Sequence, residues 1–166
     1  MIKKIAITIL LLALMPVAIA ATGGHGPAVG KPAPALFGKT LDGGSYILKR
    51  DTGSPKVINF FSMSCVPCRK EMPELAQYEK KYAGIKFISV HTEEAEPEKI
   101  AGYLKKLIGH PSNIVLTSGG LQTDFNYMGL PHTIVLDENN NVLMNLEGYN
   151  SGNMRRLKKQ LDQMSR

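Results

Sequence analysis

The chain has 166 residues, 43% of them apolar, with 20 Lys and Arg against 14 Asp and Glu and a net charge of +6. That length suits one domain with a short extra segment, and that apolar share supports a packed core, which excludes a disordered or fibrous chain. The charge excess is mild and its basic residues sit among acids, as in Glu79-Lys80-Lys81, with no interleaved aromatic stripe, so no nucleic-acid partner is expected.

Residues 1–20 read as a targeting signal. Lys3 and Lys4 form a positive start, an apolar run follows from Ile5 to Val17, and Ala18-Ile19-Ala20 is the small-x-small pattern of a cleavage site. The run is shorter than the ~20 residues of a comfortable membrane span. Cleavage after Ala20 is the favoured reading, with an uncleaved anchor as the alternative; either exports the domain. Residues 21–34, rich in Gly, Pro and Ala, read as a linker, and residues 35–166 as the folded domain.

Two strand-like pieces, Ala35–Lys39 and Ser45–Leu48, flank Asp42-Gly43-Gly44, a hairpin signal. Val57–Phe61 suits a buried central strand. Cys65 to Tyr82 reads as a helix, with Pro73 expected to kink it. Ile85–His91 is the next buried strand. Pro97–Ile108 is a helix with Ile100, Tyr103, Leu104, Leu107 and Ile108 on one face. Asn113–Thr117 is a strand, and Gly119–Met128 holds a short helix. Thr133–Asp137 and Val142–Glu147 are strands joined by a turn at Glu138–Asn141, and Met154–Met164 is the last helix. Strand–helix alternation followed by a closing hairpin gives an α/β fold with a mixed central sheet, helices on both faces and an N-terminal β-hairpin extension.

The two cysteines carry the chemistry. An exported chain meets an oxidising compartment, yet it holds only Cys65 and Cys68, three positions apart. A ring that small constrains the unfolded chain by only ~2 kcal/mol, against ~3 for a fifteen-residue loop. The pair looks placed to open and close. It falls where a buried strand ends and a helix begins, so unpaired N–H groups and the positive end of the helix dipole favour a thiolate. The Cys65 thiol should ionise below a free thiol, in the range ~3.5–7.5 typical of such motifs. Cys65 should attack, and Cys68, one turn in and shielded, should resolve. Pro67 stiffens the turn. Two other readings stand beside this one: half of a zinc site, for which no second Cys pair exists, and an inert disulfide.

The string Asn59-Phe60-Phe61-Ser62-Met63-Ser64-Cys65-Val66-Pro67-Cys68-Arg69-Lys70-Glu71-Met72-Pro73 resembles the thioredoxin superfamily, its TlpA/ResA-like branch in particular. The approach Lys31–Phe37 and the string Gly129-Leu130-Pro131-His132-Thr133 agree, and the resemblance runs from about Val29 to Gln163. It implies a thioredoxin fold and a periplasmic thiol–disulfide oxidoreductase that usually works as a reductant. Its redox group would be the Cys65–Cys68 disulfide, with no bound cofactor or metal. Its partners would be protein disulfides, apocytochrome c among them, and a membrane electron donor, and the protein itself is expected to be a monomer. Residue by residue, Pro131 matches the cis-proline beside the dithiol, and Glu71 matches the buried acid that tunes thiol ionisation and shuttles protons. The alternative for Glu71 is an exposed helix carboxylate. Val66, Pro67, Leu130 and His132 flank these groups as candidate substrate contacts.

Three departures stand out. Ser64 replaces the usual Trp before the first Cys, and Asn59 replaces thioredoxin's buried Asp. His132 follows the proline where relatives often carry Thr or Ala; it is read either as a group near the sulfurs that stabilises a thiolate or as a solvent-facing loop residue. Two other functions of thioredoxin-like chains stand as alternatives, a peroxiredoxin-like peroxidase and a copper-binding chaperone. A peroxiredoxin needs Pro and Thr upstream of its Cys, where this chain has Ile58 and Ser62. A copper chaperone of the Sco type spaces its cysteines one residue wider.

Overall fold

The computed structural model describes residues 25–166, so the signal at 1–20 and the first four linker residues lie outside the described residues. The strands are β1 Phe37–Thr40, β2 Ser45–Ile47, β3 Lys56–Phe61, β4 Lys86–His91, β5 Asn113–Leu116, β6 His132–Leu136 and β7 Val142–Glu147. The helices are α1 Val66–Lys81, α2 Pro97–Leu104, α3 Leu121–Asp124 and α4 Ser151–Met164, with a single 3-10 turn at Leu48–Arg50. The strands form one mixed sheet in the order β2-β1-β5-β4-β3-β6-β7. β3, β4 and β5 are parallel, while β6, β7 and the β1–β2 hairpin add antiparallel pairs. This is the thioredoxin-fold arrangement, with the hairpin added at one edge.

Strand alternation divides the core in two. Ile58, Phe60, Ile88, Val90, Val115, Ile134 and Leu136 face one side and pack with Leu121, Phe125 and Tyr127 around α3. Val57, Phe61, Phe87, Ile114 and Val135 face the other side, under α1, α2 and α4. Helices therefore sit on both faces, three on one and the short α3 on the other. The central strand β3 is buried along its whole length, so apolar residues fill both of its faces without alternation, and its two polar residues, Lys56 and Asn59, are buried with them.

α2 stops at Leu104 instead of continuing to Ile108, whose side chain is fully exposed. The chain tightens into i→i+3 turns there, Lys106 N–H to Tyr103 O and Leu107 N–H to Leu104 O, both 3.0 Å. Gly109 and Pro111 follow and cannot extend a helix. α4 begins three residues earlier than its apolar pattern suggests, because the Asn150 side chain caps it by accepting the Asn153 N–H at 2.9 Å. α1 continues through Pro73 to Lys81.

The segment expected as linker is partly built into the domain. Gly30 N–H donates to Val142 O, Val142 N–H donates to Lys31 O, and Ala33 N–H donates to Asn140 O, at 2.8, 2.8 and 2.9 Å. Asn145 Nδ2 donates to Pro27 O at 2.6 Å. This strap covers the outer edge of β7, an edge that would otherwise leave pairing groups open. Gly and Pro composition looks the same in a free linker and in an extended strap, which is why the sequence did not separate them. Among the described residues no helix is long and apolar enough to cross a membrane.

Candidate active site

Cys65 is the N-cap of α1, with extended backbone, and Pro67 lies in the first helical turn. β3 is short and fully buried, so it delivers the chain to this point rigidly, and Ser62–Ser64 make the turn into the helix. Cys65 and Cys68 are joined as a disulfide with a Cα–Cα distance of 5.3 Å. The Cys68 N–H donates to Cys65 Sγ at 3.2 Å, so the first sulfur takes up one of the helix's unpaired donors. Cys65 is half-buried, while Cys68 is fully buried among Phe61, Met72, Ile100, Leu104 and Ile114. Val66, 61% exposed, and Pro67 stand outward beside them.

The Leu130–Pro131 peptide bond is cis. Leu130 packs on the same apolar cluster as Cys65 and Met63, so the loop before β6 and the dithiol share one surface. Pro131 is buried, and its carbonyl accepts the Gly148 N–H at 2.8 Å.

Glu71 is 2% exposed, which removes the exposed-carboxylate alternative. Its position three residues after Cys68 puts both on one face of α1. Asn59 Nδ2 donates to Glu71 Oε2 at 2.6 Å, and the Thr133 hydroxyl donates to Oε1 at 3.1 Å. Burial pushes the carboxyl up to about 7, working against these two hydrogen bonds and helped by the nearby Glu74 charge.

His132 requires correction on both readings. It opens β6, where alternation sends it to the face opposite Thr133 and Glu71. It is completely buried, with its ring 5.5 Å from Tyr127 and 6.2 Å from Phe60. It is neither a solvent-facing residue nor a surface for a peptide. Burial pushes the imidazole down to about 4. The Asn145 side chain, its amide nitrogen committed to Pro27 O, opposes this shift only in part, and neither ring nitrogen of His132 meets a described partner in hydrogen-bond geometry. A neutral ring supplies no charge to a thiolate. Tyr127 is likewise core.

Where the family carries Trp, the Ser64 and Ser62 hydroxyls lie 3.0 Å apart. The Arg69 guanidinium donates to Met63 O at 3.3 Å and lies 5.8 Å from the Tyr103 ring centre, so a cation and an aromatic ring flank the site by another route. Thr133 and Asn59, which carry no role in the sequence motif beyond a family-like string and a missing acid, are the two donors to Glu71. The alternation of His132, Ile134 and Leu136 against Thr133 and Val135 was the available signal.

Fold and dithiol together define a class, the thioredoxin-fold proteins that carry a CxxC disulfide at the start of a helix. The chain belongs to the Redoxin family, which matches residues 28–161. It is 32% identical over 111 residues to "Thioredoxin-like protein YneN" of Bacillus subtilis, covering 66% of this chain and 65% of that protein. It is 26% identical over 124 residues to "Thiol-disulfide oxidoreductase ResA" of Bacillus thuringiensis subsp. konkukian, covering 72% of this chain and 70% of that protein. Among solved structures, a candidate thiol:disulfide interchange protein DsbE from Chlorobium tepidum superposes with a TM-score of 0.74. That match covers 87% of this chain and all of the other at 21% identity, a likeness of fold.

Proposed function

We propose that this protein is an exported, monomeric thiol–disulfide oxidoreductase that reduces disulfides of periplasmic proteins, apocytochrome c among them. The carrying observation is the Cys68 N–H directed at Cys65 Sγ, with the second sulfur buried behind it. The more accessible sulfur is thus the one whose anion the helix start stabilises.

In the reduced protein the Cys65 thiolate attacks one sulfur of a substrate disulfide. The other substrate sulfur leaves as a thiolate and a mixed disulfide forms. Cys68 gives its proton to the Glu71 carboxylate, attacks Cys65 Sγ, and expels the second substrate sulfur. Two electrons pass to the substrate and the Cys65–Cys68 disulfide remains, with no bound cofactor. A membrane dithiol donor returns two electrons to close the cycle. Pro131, Leu130, Val66 and Pro67 form the wall against which the substrate peptide lies. Export is supported by Lys3, Lys4, the apolar run and Ala18-Ile19-Ala20. The reducing direction is supported by the resemblance to the TlpA/ResA-like branch.

The test is reduction of insulin by the dithiol form, followed by equilibration of the Cys65/Cys68 couple against glutathione. Activity that vanishes in Cys65→Ser and a potential well below that of strong oxidants support the reading. A potential near ~−120 mV contradicts the reducing direction.

A further inference from the structure

Between α1 and the sheet lies a closed polar ring in an otherwise apolar layer. Asn59 on β3 and Thr133 on β6 are direct partners in the antiparallel register. Asn59 Nδ2 donates to both Glu71 Oε2, at 2.6 Å, and Thr133 Oγ1, at 3.1 Å. The Thr133 hydroxyl, having accepted that bond, donates its own proton to Glu71 Oε1 at 3.1 Å. All three side chains are at most 2% exposed.

We propose that Asn59 and Thr133 are positioning residues that set the charge state of Glu71 by aiming neutral donors at both of its oxygens. The proposal deepens the reading of Glu71 as the proton acceptor for Cys68 and rests on it for its consequence in exchange.

The ring has a direction. With Glu71 ionised, two amide protons and one hydroxyl proton are all accepted. With Glu71 protonated, its O–H meets donors as the ring stands, and Asn59 Oδ1, buried and without a partner, accepts it only if the amide turns over and withdraws Nδ2 from the carboxyl. The ring therefore favours the carboxylate, while burial favours the acid, and the opposition keeps the group titratable near neutrality. The other groups facing Glu71 do not replace this role. Cys68 lies one turn before it. Glu74 lies one turn after it, disfavours a second negative charge, and accepts from the Tyr78 and Tyr149 hydroxyls at 2.8 and 3.2 Å. Among the described residues hydrogen-bonded to Glu71 none is cationic. Ser89, opposite Asn59 on β4, is buried, and its hydroxyl makes no bond to the ring.

The test follows the Glu71 carboxyl itself, by its carbonyl stretch or side-chain carbon shift, in the oxidised full domain, where no thiol titrates. Loss of a charge-assisted hydrogen bond should raise its midpoint by about one pH unit or more, a tenfold fall in the ratio of carboxylate to acid at any given pH. Thr133→Val should show this rise, and Thr133→Ser should restore the wild-type midpoint. Thr133→Ala serves if the valine variant does not fold. An unchanged midpoint in a folded Thr133→Val or Thr133→Ala protein overturns the proposal. The role of Glu71 in exchange is judged separately, by the pH profile of mixed-disulfide resolution in Glu71→Gln. A wild-type profile there removes that role while leaving the ring to stand or fall by its midpoint.

Discussion

The backbone amide of Cys68 donates to the sulfur of Cys65 at 3.2 Å, so the residue that caps α1 is also the residue expected to attack. The capping position and the reactive position coincide because an N-cap side chain takes up a helix donor, and a thiolate is a better acceptor for it than a thiol. The two cysteines therefore differ in more than burial, and they should respond differently to substitution.

Cys65→Ser is expected to abolish disulfide reduction. Cys68→Ser is expected to stop at the mixed disulfide, because the attacking sulfur remains and the resolving one is gone. Incubation of each variant with a protein disulfide, followed by non-reducing electrophoresis, should show a covalent adduct with Cys68→Ser alone.

Glu71 ties stability to pH. Its folded carboxyl lies at about 7, above the ordinary 4.5. A raised pKa means the folded state holds the proton more tightly than the unfolded chain. The group's contribution is full below 4.5 and is lost as pH rises through about 7. Glu71→Gln removes that loss, so between acid and alkaline pH the variant should lose up to about 3 kcal/mol less stability than wild type. Urea unfolding of the oxidised proteins at acid and alkaline pH measures the difference.

His132 acts with the opposite sign. Its folded imidazole lies at about 4, below the ordinary 6.5, so its contribution is present above 6.5 and is lost as pH falls through about 4. His132→Phe keeps a ring between Tyr127 and Phe60 and removes the titration. Its urea midpoint should fall less than that of wild type on acidification, and insulin reduction at neutral pH should be retained.

The strap over β7 has its own sensitive point. Gly26 has φ +109, and a Cβ there would lie 2.6 Å from the Asn145 side chain. Gly26→Ala should destabilise the domain by roughly 1–3 kcal/mol. Hydrogen exchange at the Val142 amide, which donates to Lys31 O, should accelerate more than exchange in β3.

The parts legible in the sequence are those where one local signal and its burial agree. β3, β4 and α1 were readable because a run of β-branched and aromatic residues led straight into CxxC. The parts that escaped depend on partners distant in the chain. Lys56 begins the buried strand with no exposure, its ammonium reaching back to Ser54 O at 2.6 Å, and nothing in its own position announces that. His132 and Thr133 are adjacent in sequence yet face opposite sides of the sheet, and only the register of β6 against β3 assigns Thr133 to Glu71. The strap at 26–33 owes its order to β7, more than a hundred residues away in the chain. For the same reason the loss of Trp at Ser64 gave no hint that Arg69 and Tyr103 approach the site together.

The most direct measurement is the rate of alkylation of the reduced protein by iodoacetamide as a function of pH, with the modified residue identified by mass. The account predicts modification of Cys65 with a midpoint well below the ~8.5 of a free thiol, while Cys68 stays protected. A midpoint at the free-thiol value, or equal labelling of Cys68, would contradict it.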